Sequence, residues 1–244
     1  MKKGYQAILL STVMICAVFT FVTIAWAAFN TTLTIGGSAT VKAQKWNVYF
    51  KSAAVDSTNT TAENVSIDSI GTSTSTITLS SLAASFDTPG EKAVYNITVD
   101  SDSTFDAKLT DYTEPTIECK TSDLGATTYT PTTGLAAYQA ISDNDYSAVD
   151  PAALVCGFIS YDYVIASTGF AGTKMATPPA AGTKLNTLVN TFVFDSTLTT
   201  GGDHDVDLVL TLYFDKDKTM NANALPTKDV NVSFTNLKTK FTQA

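Results

Sequence analysis

The stretch DVDLVLTLYF, residues 205–214, alternates apolar and polar side chains with a period of two. This alternation is typical of a β-strand that buries one face and turns the other toward a more polar environment. It therefore predicts a strand, and the side chains on its buried face are Val206, Leu208, Leu210, Leu212 and Phe214.

The same pattern recurs on both sides of this stretch, whereas helical periodicity is nearly absent after residue 28. Turn pairs such as Gly36-Gly37 and Pro89-Gly90 separate the alternating segments. The sequence thus predicts an all-β fold, an antiparallel two-sheet sandwich of jelly-roll type. Further strands are predicted at residues 31–35, 38–43, 45–50, 75–82, 91–99, 106–112, 155–165, 188–195 and 229–237.

One region of the chain lacks this patterning. Residues 113–153 are rich in Thr, Ala and Asp, and within them residues 134–141 (GLAAYQAI) favour two helical turns. We interpret residues 28–244 as a single sandwich domain that carries an insertion at about residues 113–153. Residues 170–184, with Pro178-Pro179, form a second long loop.

The N-terminus has the pattern of an export signal. Lys2 and Lys3 precede residues 7–28, which contain no charged side chain, and Ala25-Trp26-Ala27 fits the small-x-small rule of a signal peptidase site. Residues 1–27 are therefore predicted to be a signal peptide cleaved after Ala27. The alternative is an apolar helix kept as a membrane anchor, because residues 7–28 are long enough to span a bilayer. Both place the domain outside the cell or on its surface.

A third interpretation of the N-terminus, a pilin leader, is disfavoured because Leu9 stands where such a leader has an acidic residue.

The composition argues against nucleic acid as a partner. All 15 basic residues are lysines and the net charge is −8, so the chain lacks the clustered cations and arginine forks that nucleic-acid binding requires.

The cysteines agree with export. Cys16 lies in the apolar segment, which leaves Cys119 and Cys156 as the pair in the remaining chain. An even number of cysteines outside the cytoplasm permits one disulfide, Cys119 to Cys156. Two buried free thiols are the alternative.

Catalytic and metal-binding patterns are sparse. His204 is the single histidine, no zinc helix or phosphate loop occurs, and we expect neither enzymatic activity nor a cofactor. Asp203, Asp205 and Asp207 alternate and would share one strand face, which makes them candidate calcium ligands. They lack the spacing of a calcium loop, so a solvated, charged strand end is the simpler interpretation.

Four stretches carry a resemblance to a known family. They are residues 28–41 (AFNTTLTIGGSATV), residues 45–50 (KWNVYF), residues 86–109 with their Pro-Gly-Glu turn and FDAKL, and residues 225–237 (LPTKDVNVSFTNL). Together they resemble the TasA-like and camelysin-like secreted β proteins of Gram-positive bacteria. The resemblance implies a jelly-roll domain at the cell surface and a subunit of extracellular biofilm filaments. In such filaments the N-terminal strand of one subunit completes a sheet of the next.

For this chain, the resemblance implies that cleavage after Ala27 frees a donor strand with Phe29, Leu33 and Ile35 on one face. The alternative is that this segment pairs within its own domain. We accordingly expect an exported structural protein that assembles with copies of itself or with other cell-surface proteins. The other hypothesis is a membrane-anchored, monomeric surface or adhesin module that binds a protein or glycan through its long loops.

Overall fold

The computed structural model describes residues 45–72, 76–166, 172–197, 204–216 and 220–244, of which 68–72 and 80 by their backbone alone, and the backbone of residues 34–35 and 39–40. The predicted N-terminal apolar helix, the cleavage site at Ala25 and Ala27, and the side chains of Phe29 and Leu33 lie outside this description. The chain divides into two compact units, Met1–Lys45 and Trp46–Ala244.

In the first unit, two short strands form an antiparallel pair. β1 (Thr34–Ile35) pairs with β2 (Ala39–Thr40), on either side of the predicted Gly36-Gly37 turn. The rest of the strands predicted at residues 31–35 and 38–43 lies outside the described residues.

The second unit contains two antiparallel sheets. The four-stranded sheet has the order β3 (Val48–Val55), β6 (Lys92–Ser101), β11 (Val206–Phe214) and β9 (Ile159–Ile165). The six-stranded sheet has the order β10 (Val193–Phe194), β7 (Ala107–Thr113), β12 (Val230–Gln243), β5 (Thr76–Phe86) and β4 (Glu63–Thr72), and β8 (Thr116–Thr121) also pairs with β12. The predicted antiparallel two-sheet architecture is confirmed, and its jelly-roll type stays a prediction.

The alternating segment at residues 205–214 lies inside the four-stranded sheet as β11. β11 is flanked by β6 and β9, and its five predicted inward side chains are at most 4% exposed. They meet the six-stranded sheet across the core, where the rings of Phe214 and Phe86 pack edge to face with centroids 6.4 Å apart. The hydrophobic core therefore lies between the two sheets.

β12 runs six residues beyond the predicted strand and changes its inward face on the way. Val230, Val232 and Phe234 are buried, and then the buried positions shift to Leu237 and Phe241. The shift occurs at Asn236, whose φ is 61°. Glu114 and Pro115 fall opposite this irregularity, between the β7 and β8 pairings. Because Pro115 has no amide hydrogen to pair, β7 and β8 are two strands along one side of β12.

Within residues 113–153, which were predicted to form an insertion, Thr116–Thr121 is β8. The helix predicted at residues 134–141 is α1 (Pro131–Gln139), which begins earlier because Thr130 caps it and Pro131 occupies its first turn. A second helix, α2 (Pro151–Gly157), takes the first residues of the strand predicted at residues 155–165. That strand, β9, begins only at Ile159.

Two helical glycines let α1 and α2 approach each other closely. A Cβ atom on Gly134 would lie 2.6 Å from the carbonyl oxygen of Ala153 and 2.7 Å from the nitrogen of Gly157. These distances are too short for any side chain, so the helix pair requires glycine at position 134.

Other strand predictions differ from the structure in their bounds. Residues 188–195 contain only β10, because a 3₁₀ turn (Leu185–Leu188) precedes it. The strand predicted at residues 45–50 is found at Val48–Val55, and β4 was not predicted. No helix within the described parts of the chain is long and apolar enough to cross a membrane.

Candidate functional site

The predicted assembly depends on the sheet edges, since an edge strand presents a row of unpaired N–H and C=O groups. Outer edges are provided by β3 and β9 in the four-stranded sheet, and by β4 and β10 in the six-stranded sheet. The outer side of β8 is a further place where a strand could add. These edges differ in how well the rest of the chain protects them.

The outer sides of β8 and β10 are covered by neighbouring loops. Cys119 of β8 exchanges two backbone hydrogen bonds of 2.9 Å with Tyr129. The Lys174 N–H donates to the carbonyl of Val193 in β10 at 3.1 Å. Both edges therefore already have part of their backbone hydrogen bonds satisfied.

The edge at β9 is partly covered and carries charge. Ile165 at its C-terminal end donates to the carbonyl of Thr183 and accepts from the N–H of Gly182, both at 2.9 Å. Asp162, in the middle of the strand, forms ion pairs with Lys184 at 2.9 Å and Lys216 at 2.6 Å. The hydrogen bond from Lys216 is the main cause that lowers the pKa of Asp162. Charged side chains on an edge oppose pairing with another chain.

The β4 edge is irregular. Its register with β5 shifts at three places between Glu63 and Ile70, and Asn64 has a φ of 48°. Each bulge interrupts the ladder and increases the local twist of the strand. A straight partner strand would therefore find few consecutive groups in line along β4.

Among the described residues, the β3 edge has the fewest contacts that would block an added strand. Its register with β6 shifts once, at Lys51, and residues 52–55 then pair regularly. The Asp56 N–H donates to the carbonyl of Val94 in β6 at 2.8 Å. By the alternation of an antiparallel ladder, Ala53 and Val55 direct their N–H and C=O groups away from β6. No described strand pairs with that side.

Two of the candidate calcium ligands, Asp205 and Asp207, contact protein groups, although Oδ1 of Asp205 is buried without a hydrogen-bond partner among the described residues. Asp205 forms an ion pair with Lys51 of β3, and Asp207 accepts a 2.7 Å hydrogen bond from the hydroxyl of Thr98. Asp203 lies outside the described residues. Among the residues that are described, no three acidic, histidine or cysteine side chains group in a way that would hold a metal ion. The calcium hypothesis therefore gains no support from Asp205 or Asp207.

Nearby side chains at this end of the sheet are also enclosed. The Nδ1 atom of His204 lies 2.9 Å from the carbonyl oxygen of Ser101, and its Nε2 atom is buried. The hydroxyl of Tyr49 donates to Asp100 at 2.9 Å. Burial, followed by this hydrogen bond, raises the pKa of Tyr49. The single histidine thus contributes to the structure of the strand ends.

Cys119 and Cys156 form a disulfide that joins β8 to α2, with their Cα atoms 5.6 Å apart. Both residues are fully buried. The predicted disulfide is therefore present, and the two cysteines are not free thiols. A disulfide fits an oxidising location outside the cytoplasm.

Of the predicted donor residues, the structure describes the backbone of one. Ile35 pairs with Ala39 in the hairpin of β1 and β2. Phe29 and Leu33 lie outside the described residues. Local pairing therefore involves the end of the donor segment, and residues 28–33 remain the part on which donation to a neighbour would depend.

The fold and the disulfide define the class: an antiparallel two-sheet β protein suited to an extracytoplasmic location. Comparison with known proteins does not assign the chain to a family, since no family model, no curated protein and no solved structure matches it.

Proposed function

We propose that this chain is an exported structural protein of the cell surface whose copies assemble through sheet edges. The observation that carries the proposal is the outer side of β3, where residues 52–55 follow the single bulge in regular register and no described strand pairs with them. A strand added there would pair with the N–H and C=O groups of Ala53 and Val55, and backbone pairing of this kind supplies the affinity in strand addition. The resemblance to TasA-like and camelysin-like proteins supports the same function.

The donated strand would come from residues 28–35 of a neighbouring copy. Phe29, Leu33 and Ile35 share one strand face opposite Asn30, Thr32 and Thr34, with Thr31 as the polar exception on the apolar face. Cleavage after Ala27 is the step that frees this segment, because a retained leader would hold it at the membrane. The alternative function, an anchored monomeric module, differs in that the leader stays attached.

Electron microscopy of two purified chains tests the donor. One chain begins at Ala28 and the other begins at Ser38. Filaments from the first chain alone support strand donation. Monodisperse particles from both chains refute it and favour the anchored module. Misfolding of the shorter chain alone would show that residues 28–37 belong to their own domain.

A proline in β3 tests the acceptor. Ala53→Pro removes an N–H that points away from β6, so the β3–β6 pairing stays intact while an incoming strand loses a partner and meets the ring. We expect a folded chain that does not form filaments. Ala53→Ser is the matched control, because it keeps the N–H and should assemble as the wild type does. Filaments from a folded Ala53→Pro chain would exclude β3 as the acceptor.

A further inference from the structure

A small polar cleft lies where the two sheets face each other beside β9. Its volume is about 220 Å³. β7 contributes Tyr112 and β9 contributes Tyr161 and Tyr163, so both sheets line it. The segment leading into the 3₁₀ turn closes one side. The lining residues are Tyr112, Tyr161, Asp162, Tyr163, Lys184 and Asn186.

Tyr163 is the unusual member of this lining. Its side chain is only 4% exposed, and among the described residues its hydroxyl has no hydrogen-bond partner. Burial alone raises its pKa, so the phenol stays protonated and able to donate. The hydroxyl oxygen is not one of the fully enclosed, unpartnered polar atoms of the described residues, so it is accessible from the cleft that Tyr163 lines. There it can donate to a ligand and accept from one.

The other two phenols add both donors and acceptors. The hydroxyl oxygens of Tyr112 and Tyr161 lie 3.3 Å apart, which joins the two sheets by a hydrogen bond. Whichever phenol donates, the other keeps its own hydrogen for a ligand. Burial, which is the largest cause, also raises the pKa of Tyr112. The amide of Asn186 supplies further donors and an acceptor.

The charges in the lining exclude two ligand classes. Asp162 already binds the ammonium groups of Lys184 and Lys216, so a cation would find no free carboxylate there. An anion would have to compete with Asp162 for the same lysines. Neither a metal ion nor a simple anion therefore fits the cleft as well as a neutral ligand.

The volume of the cleft and the polarity of its lining limit which neutral ligands can bind. The volume corresponds to about seven waters at the density of the liquid, which admits one ring and excludes a folded peptide segment. The lining of hydroxyl, amide and ion-paired groups is too polar for an apolar molecule. A sugar hydroxyl both donates and accepts, as the phenols and the amide do. We propose that this cleft binds one pyranose ring of a neutral saccharide. The proposal does not depend on strand donation.

Ligand-observed saturation-transfer NMR on the full chain tests this with glucose, galactose and N-acetylglucosamine. A single-ring ligand is expected to bind with a Kd of about 1 mM, so each sugar is used at up to about 10 mM. Tyr163→Phe removes one oxygen that no described protein group binds, so the unfolding midpoint should stay unchanged. Its affinity for the sugar should fall at least tenfold.

Tyr213→Phe is the matched control. Tyr213 lies on the neighbouring strand β11, outside the cleft lining, where its ring meets the ammonium of Lys216 at 4.5 Å. Phenylalanine keeps that ring, so sugar binding should stay at the wild-type level. Three results would overturn the proposal: no sugar bound by the wild type, equal binding by Tyr163→Phe, or binding of acetate or phosphate in place of every sugar.

Discussion

Removal of the Cys119–Cys156 disulfide should cost a large part of the stability of the second unit. The bond closes a loop with a sequence separation of 37 residues. The chain-entropy relation assigns about 4 kcal/mol to a loop of that length, because the cross-link restricts the unfolded chain. For a domain of this size, that corresponds to a fall in Tm of about 8–16 °C.

The variant to measure is Cys119→Ala/Cys156→Ala, because two serines would leave hydroxyl groups in a fully buried site. Urea unfolding followed by tryptophan fluorescence gives its free energy of unfolding beside that of the wild type. A reducing agent should destabilise the wild type and leave the double variant unchanged. This second comparison separates the cross-link from the loss of two sulfur atoms.

The position of the disulfide predicts which part of the chain loses stability first when the bond is removed. The disulfide ties α2 to β8, and the Sγ atom of Cys156 also contacts the carbonyl oxygen of Tyr129 at 3.3 Å. Amide hydrogen exchange should therefore increase in α1 and α2 more than in β11, which other strands hold on both sides. A double variant within 1 kcal/mol of the wild type, with unchanged exchange in both helices, would refute the reasoning.

Three further predictions concern packing and charge. Leu210→Ala should lower the free energy of unfolding by about 3 kcal/mol, because it opens a cavity at a fully buried site. Val209→Ala, on the other face of β11, should lower it by less, and urea unfolding measures both variants. Gly134→Ala should destabilise the chain by about 1–3 kcal/mol in the same assay, since its Cβ would meet the backbone of α2, and a stabilised variant would contradict that packing. The lowered pKa of Asp162 adds stability that is present above the ordinary aspartate pKa of about 3.9 and is lost as the pH falls through the folded-state value. Asp162→Asn should therefore differ from the wild type at pH 7 and converge with it near pH 2, and a constant difference would exclude the ion pairs as the cause.

The strands that could be predicted are those that bury one face against the opposite sheet. β6 and β11 were predicted because they pair with each other in regular register, and β11 also pairs regularly with β9 on its other side. β4 was not predicted, because its register with β5 shifts three times and each shift interrupts the two-residue alternation of apolar and polar side chains. β12 was predicted only up to Leu237 for the same reason, since the positive φ of Asn236 changes the inward face.

Contacts between residues far apart in sequence could not be predicted from local sequence patterns. Asp162 meets Lys184 and Lys216 only because β9, the segment after it and the end of β11 converge, and no spacing in the sequence signals this. The hydrogen bond between Tyr112 and Tyr161 likewise depends on how the two sheets face each other. The cysteine pair was the exception, because only two cysteines remain after the apolar segment.

Residues 28–35 are predicted to pair as a strand either with their own domain or with a neighbouring copy. Only nine residues separate residue 35 from Lys45, so a segment that can add to an edge such as β3 is available to its own domain at a high effective concentration. Donation to a neighbour therefore requires that the short connection prevents the segment from reaching its own edge in register. If so, lengthening that connection with a flexible Gly-Ser insert after Ala43 should convert filaments into monomers in electron micrographs. Filaments that persist after the insertion would mean that the connection does not control the choice of partner.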